Sequence, residues 1–360
     1  MAQTMPSIEV IFKQMAVTAI QRSEKGVVCI VVNDDTEGTS TINEYIYSSD
    51  VKESEYTADN YKAIIGAFIA VPNKVYVVKL VNEKTFSDAA ELIKNINFNW
   101  LVYLNAESGE QDKVSAYVKE RNKKNNRHKI KCVTYKATTT DDKHVVNFTN
   151  EAITFKEDTS KYPVAFYIAR LAGVFAATPF TRAATYTELQ ELKSVTEPED
   201  LNEAVGNGEL VLFNDIDVVR IGTAVNSLTT VTADDTEDMQ KITIVEGMDT
   251  ITEDIVTTFN DYYVGKYKNT YDNQCLFLTA VNSYFTTLEG EGILDPNYEN
   301  VATIDIEQQR NQWLSTGKTE AADWDEQTVK NMTYKTWVNL AGDVKMLDAM
   351  ENLKFVITMQ

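Results

Sequence analysis

The chain has 360 residues, long enough for two ordinary cores, and its 43% hydrophobic and 10% aromatic side chains exclude wholesale disorder. With 54 acidic against 34 basic side chains the formal charge is −20, a field that repels phosphate backbones and excludes nucleic acid as a partner. The basic run Arg121 to Lys131, with Lys123, Lys124, Arg127, His128 and Lys129, reads as the solvated end of a helix, where cations favour the dipole.

The opening residues Met1 to Pro6 lack a positive region followed by a long apolar core, so no secretion signal is expected and synthesis in the cytoplasm is. Directly afterwards Ile8, Val10 and Phe12 alternate with Ser7, Glu9 and Lys13, a strand pattern on a tail. Gly26 to Asn33 is an apolar run typical of a buried strand; Tyr61 to Ala70 reads as a helix and Lys74 to Val81 as a strand. Ser87 is expected to cap a helix with Ala89, Leu92, Ile93 and Ile96 on its apolar face. Asn99 to Leu104 and Lys129 to Tyr135 continue the strands, separated by a helix near Val114. Alternating strands and helices imply a largely parallel sheet with helices on its faces. The stretch Pro163 to Phe180, interrupted by Arg170, is too short without charge to span a bilayer and reads as a buried helix, so no stable membrane association is expected.

A boundary is placed at the acidic, proline-bearing Thr196 to Asp200. Beyond it, Glu209 to Phe213 and Asp217 to Ile221 read as strands joined at Asn214 and Asp215, and Lys241 to Val245 as another. Thr250 and Glu253, at capping-box spacing, open a helix carrying Ile251, Ile255, Phe259 and Tyr262 and ending at Gly265. A further helix follows Asp272 and stops near Gly290 and Gly292. Lys318 to Glu326 reads as an exposed loop anchored by Trp324. At the end, Phe355, Ile357 and Met359 face one way and Lys354 and Thr358 the other, so both termini carry strand patterns.

Chemistry is scarce. The two histidines, His128 and His144, lie in polar stretches that read as exposed, and no G-x-S-x-G elbow is present. Cys29, Cys132 and Cys275 are far apart and read as free, buried thiols, so neither disulfide nor zinc is expected. The acidic run Asp234, Asp235, Glu237 and Asp238 lacks the ligand spacing of a calcium loop, and the few glycines make no nucleotide fingerprint. No cofactor is expected. The aromatic stretch Asp261 to Asn273 divides into helix core, Tyr262 and Tyr263, and a candidate surface, Tyr267 and Tyr271 with Lys266 and Lys268.

A terminal strand with no neighbour to pair with needs a designated edge elsewhere, and two of them point to exchange with other copies. The stretch Glu209 to Thr230, the following Lys241 to Asp249, the helix running to Tyr263 with Val264, Gly265 and Lys266, and the ending Asp348 to Met359 resemble the C-terminal domain of contractile phage tail sheath proteins. The likeness is to the short sheaths of Gram-positive prophages and R-type bacteriocin particles. The first half resembles the family's subtilisin-like domain, a name for a sheet topology that here carries no catalytic set.

The resemblance implies an α/β domain over 23–197 on the outside, an α+β domain over 198–343 on the inside, and strand-exchange arms over 1–22 and 344–360. It implies hexameric rings stacked around a tail tube protein, with baseplate and tail terminator proteins as further partners, released by lysis and working by contraction rather than catalysis. Ile8, Val10, Phe12, Phe355, Ile357 and Met359 are the expected interlocking side chains. Lys266, Tyr267, Lys268 and Tyr271 are the candidates for facing the tube. The alternatives from the residues alone are a degenerate α/β hydrolase and a surface-layer protein that assembles itself.

Overall fold

The computed structural model describes residues 26–82, 84–124, 127–157 and 162–359. The N-terminal arm with Ile8, Val10 and Phe12 lies outside them.

The chain opens with β1 (Val27–Asn33), whose residues are buried on both faces except the last, as an uninterrupted apolar run requires of a central strand. It is followed by β2 (Ile42–Tyr45), α1 (Ala58–Phe68), β3 (Lys74–Leu80), α2 (Phe86–Ile93), β4 (Trp100–Leu104), α3 (Ser108–Lys124), β5 (Lys131–Tyr135) and β6 (Val145–Phe148). Next come β7 (Ile153–Phe155), α4 (Ile168–Ala177), β8 (Leu192–Val195), α5 (Leu201–Gly206) and β9 (Glu209–Leu210). Seven strands form one sheet in the order β2-β3-β1-β4-β5-β6-β9, parallel throughout except for β2 at its edge.

Period-2 alternation sorts each strand's side chains between two cores. Val28, Ile30, Val32, Val77 and Val102 pack beneath α1 and α4, while Cys29, Val31, Val78, Leu101 and Tyr103 pack beneath α2 and α3. The α1 and α4 backbones approach closely because position 173 is glycine: a Cβ there would stand 2.2 Å from the Ala67 carbonyl oxygen.

Four elements differ from the sequence reading. Thr85, not Ser87, is the N-cap of α2, since its backbone N–H donates to the Asp88 carboxylate at 3.0 Å. The hairpin of β10 (Leu212–Asp215) and β11 (Val218–Ile221) turns at Ile216 and Asp217. Asn214 stays in its strand because its amide bridges the N–H and C=O of Val195, and Asp215 because it pairs with Arg220 at 2.8 Å. That leaves Ile216 at the tip with φ 56°, a strained conformation for a β-branched residue, and 95% exposed. Lys241 to Val245 is not a strand: with Thr250 and Glu253, both buried, it belongs to one helix, α6 (Ile242–Tyr262). Packing overrides the β-branched composition there. The C-terminal strand pattern at Phe355 to Met359 forms no strand within the chain.

Two compact units result: residues 26–249 with 348–359, and Thr250–Leu347. The division falls within α6 rather than at Thr196 to Asp200, because β9 hydrogen-bonds to β6 and Leu210, Leu212 and Ile221 enter the sheet's core. The smaller unit contains α7 (Tyr271–Gly290), β12 (Val301–Ile304), α8 (Ile306–Ser315), α9 (Glu326–Asn331) and β13 (Leu340–Asp343). Phe259, Tyr263 and Phe277 stack at its centre, and Tyr284 donates to Asp254 at 2.7 Å. The region Lys318 to Glu326 holds a short 3-10 turn over Thr319–Asp323, with Trp324 edge-on to Trp313.

Candidate assembly surfaces

The C-terminal segment begins with a firm attachment and ends with none. Lys241 pairs with Asp348 at 2.7 Å and Glu351 at 2.6 Å, and the Thr185 hydroxyl donates to Glu351 at 2.7 Å. Partial burial works against the Lys241 charge, yet the two carboxylates hold its pKa above the ordinary lysine value. Past that anchor Leu353, Phe355, Val356, Ile357 and Met359 are each 71% exposed or more. A run of large apolar side chains in water, with no strand partner among the described residues, is a surface suited to a contact.

The smaller unit holds a short two-stranded ribbon. There β12 and β13 pair antiparallel, Val301 opposite Asp343 and Ile304 opposite Leu340, and neither has another partner strand among the described residues. The ribbon continues through a bridge between Leu294 and Met346. Two-stranded ribbons are marginal by themselves and gain from added strands.

Lys266, Tyr267 and Lys268 line a cavity of about 460 Å³ in the smaller unit, over Tyr263 and Phe277, with Lys335 opposite. Tyr267 is 37% exposed and tilts against the Tyr263 ring at 5.3 Å. Tyr271 is half-buried in the first turn of α7 and is not among the residues lining this cavity.

The histidines differ from expectation: both are buried. His128 Nε2 meets the Phe98 carbonyl at 2.8 Å. His144 sits between Asp142 at 3.3 Å and Asp249 at 3.2 Å, and Asp249 also pairs with buried Lys131 at 2.6 Å. Lys131, counted in the basic run, is therefore a core cation. Burial opposes the His144 charge, but the two carboxylates outweigh it and raise its pKa above 6.5. Lys131 and His144 hold the Asp249 carboxyl well below the usual range despite its burial. The free thiols of Cys29 and Cys132 are buried and that of Cys275 is half-buried; burial pushes Cys29 up to about 12. Among the described residues no cluster of histidine, cysteine and carboxylates is placed to hold a metal, and no helix is long and apolar enough to cross a membrane.

Residues 234–360 match the phage tail sheath C-terminal domain family. Over 98% of its length the chain is 30% identical to the tail sheath protein of Clostridium phage phiCD119, covering 99% of that protein. This chain belongs to the phage tail sheath protein family. As a sheath protein it is a structural phage-tail component and not an enzyme, and the hydrolase and surface-layer alternatives are not favoured. Solved sheath proteins share its mixed α/β fold. The anti-feeding prophage helical sheath in its contracted state has a TM-score of 0.71 at 13% identity, covering 95% of both chains. The sheath tail protein of Desulfitobacterium hafniense has a TM-score of 0.67 at 14% identity, covering 79% of this chain and 91% of that one.

Proposed function

We propose that this chain polymerises as stacked hexameric rings around an inner tail tube, between baseplate and terminator, and contracts to drive the tube through a cell envelope. The observation that carries this reading is a pairing within one chain: an exposed apolar segment and a two-stranded ribbon, neither with a further partner strand among the described residues. A terminal strand of one copy completing the ribbon of the next is a heterologous contact, which propagates into rings and helices. Ile8, Val10 and Phe12 on one arm and Phe355, Ile357 and Met359 on the other are the interlocking side chains. In this arrangement the smaller unit, Thr250–Leu347, faces the tube, and the larger unit carries a subtilisin-like sheet put to non-catalytic use. Lys266 and Lys268 are directed to the tube. The particle is put together in the cytoplasm and freed by lysis.

Contraction needs no nucleotide: two packings of the same bodies, tethered by the arms, suffice when assembly traps the less stable one. Deleting residues 355–360 tests the reading. The truncated chain keeps its circular dichroism and melting temperature but forms no tubes in negative stain; tubes of normal appearance would overturn it.

A further inference from the structure

The larger unit holds a cavity of about 480 Å³ that the arms do not account for, walled in part by Arg170, Arg182, Thr178, Thr185, Tyr186 and Thr187. Arg170 is 7% exposed and gives its Nε to Glu191 at 2.8 Å, an oxygen that Tyr167 also donates to, at 2.6 Å. Its Nη1 is buried and meets no acceptor. A buried guanidinium donor left unmatched costs free energy that an arriving acceptor returns. Across the same cavity Arg182 is exposed and has no ion pair among the described residues. Glu191 cancels the charge of Arg170, and Glu351, which accepts from Thr185, is engaged by Lys241. Arg182 is thus left without a carboxylate in ion-pair contact among the described residues, although Glu246 lines a small adjoining cavity with it.

The rim is shaped for a protein rather than a free ion. Tyr186 is 58% exposed and held at φ 60°, its N–H donating to the Ile221 carbonyl at 3.0 Å and its ring against Phe213 at 5.3 Å. Ala70 also lines the cavity, and beside it in the chain stand Ile69, 51% exposed, and Val71, 79% exposed at φ 59°. Strained backbone at exposed, bulky residues marks positions kept for contact, and tyrosine with arginine is the pairing that dominates interfaces.

We propose that this cavity is a carboxylate socket, filled in the assembled state by an Asp or Glu side chain of a second copy of this chain. The guanidinium fork fits a carboxylate in two places at once, and a chain with 54 acidic side chains supplies the complement on every neighbour. The proposal rests on the self-assembly reading but concerns a contact distinct from strand exchange.

The test uses the full chain. Arg182→Lys protein, half of it labelled with heavy nitrogen, is concentrated to the point where wild-type tubes form and treated with carbodiimide, which joins an amine only to an adjacent carboxylate. The expected result is a cross-link from the new amine of one isotope to an Asp or Glu of the other. Arg182→Glu, at an exposed position, should keep the wild-type melting temperature and need about tenfold more protein to form tubes. Both results are required: no mixed-isotope cross-link at position 182, or Arg182→Glu tubes forming at wild-type concentration, overturns the socket. Inorganic phosphate stabilising wild-type but not Arg182→Glu, with no cross-link, makes it a free-anion site and likewise overturns it. Should wild type form no tubes, the cross-link alone decides the socket, while the proposed self-assembly into rings falls by itself.

Discussion

Lys131 on β5 and Asp249 in α6 are joined by a 2.6 Å ion pair in which the lysine side chain retains 4% of its accessibility. Burial disfavours the ammonium, and the attraction of Asp249 and of Glu246, at 3.3 Å, outweighs it and raises the lysine's pKa. The pair fastens the first turns of α6 to the sheet.

Replacing the cation should therefore be severe. Lys131→Met removes the buried cation shared by Asp249 and Glu246 and should cost about 3–5 kcal/mol, because their desolvated charge loses its main compensation. Urea unfolding followed by circular dichroism measures this.

The same cluster gives stability a pH dependence. His144 has a raised folded pKa, so the native state holds its proton more tightly than the unfolded chain does. Its contribution is complete below 6.5 and is lost as pH rises through the folded value. Asp249, whose pKa is depressed, contributes above 3.8, and that share is lost as pH falls through its folded value. Unfolding free energy should decline as pH is raised through and beyond neutrality in wild type, and this decline should be absent in His144→Gln.

The contact of α1 with α4 should tolerate no added atom. Gly173→Ala places a methyl group against the Ala67 carbonyl, and backbone cannot rotate away as a side chain would. A loss of about 1–3 kcal/mol or more is expected in thermal or urea unfolding.

Charge reversal of Lys266 and Lys268 to glutamate should leave self-assembly intact, since neither lies on β12 or β13. Co-assembly with tube protein should fall, read by co-sedimentation; unchanged co-assembly would remove these residues from the tube contact.

Much of the fold was legible. The apolar runs of β1, β3 and β4 and the 3.6-residue periodicity of α2 and α7 are local signals, and they fall at the expected places. The start of α6 was not, because its Ile242, Ile244 and Val245 carry a strand signature that only the packing against the larger unit overrides. Nor was the ion cluster: Lys131, His144 and Asp249 are distant in sequence, and a basic run gives no sign of which member will be turned inward. The socket was half visible. Arg170 stands out as the charge in an apolar helix, while its companion Arg182 belongs to a loop whose course no periodicity records. Alternation singled out the terminal side chains Phe355, Ile357 and Met359, and the structure adds that they are exposed.

That exposure sets a limit on how long a newly made chain can wait. Leu353 to Met359 is seven residues of high β propensity with one charge and neither proline nor glycine, the composition that stacks into cross-β aggregates when left in water. On the strand exchange proposed above, every free copy presents the same adhesive segment to every other until a ribbon from another molecule takes it up. Orderly growth and clumping thus compete for one segment, and the outcome depends on whether open tube ends outnumber unassembled chains while synthesis proceeds.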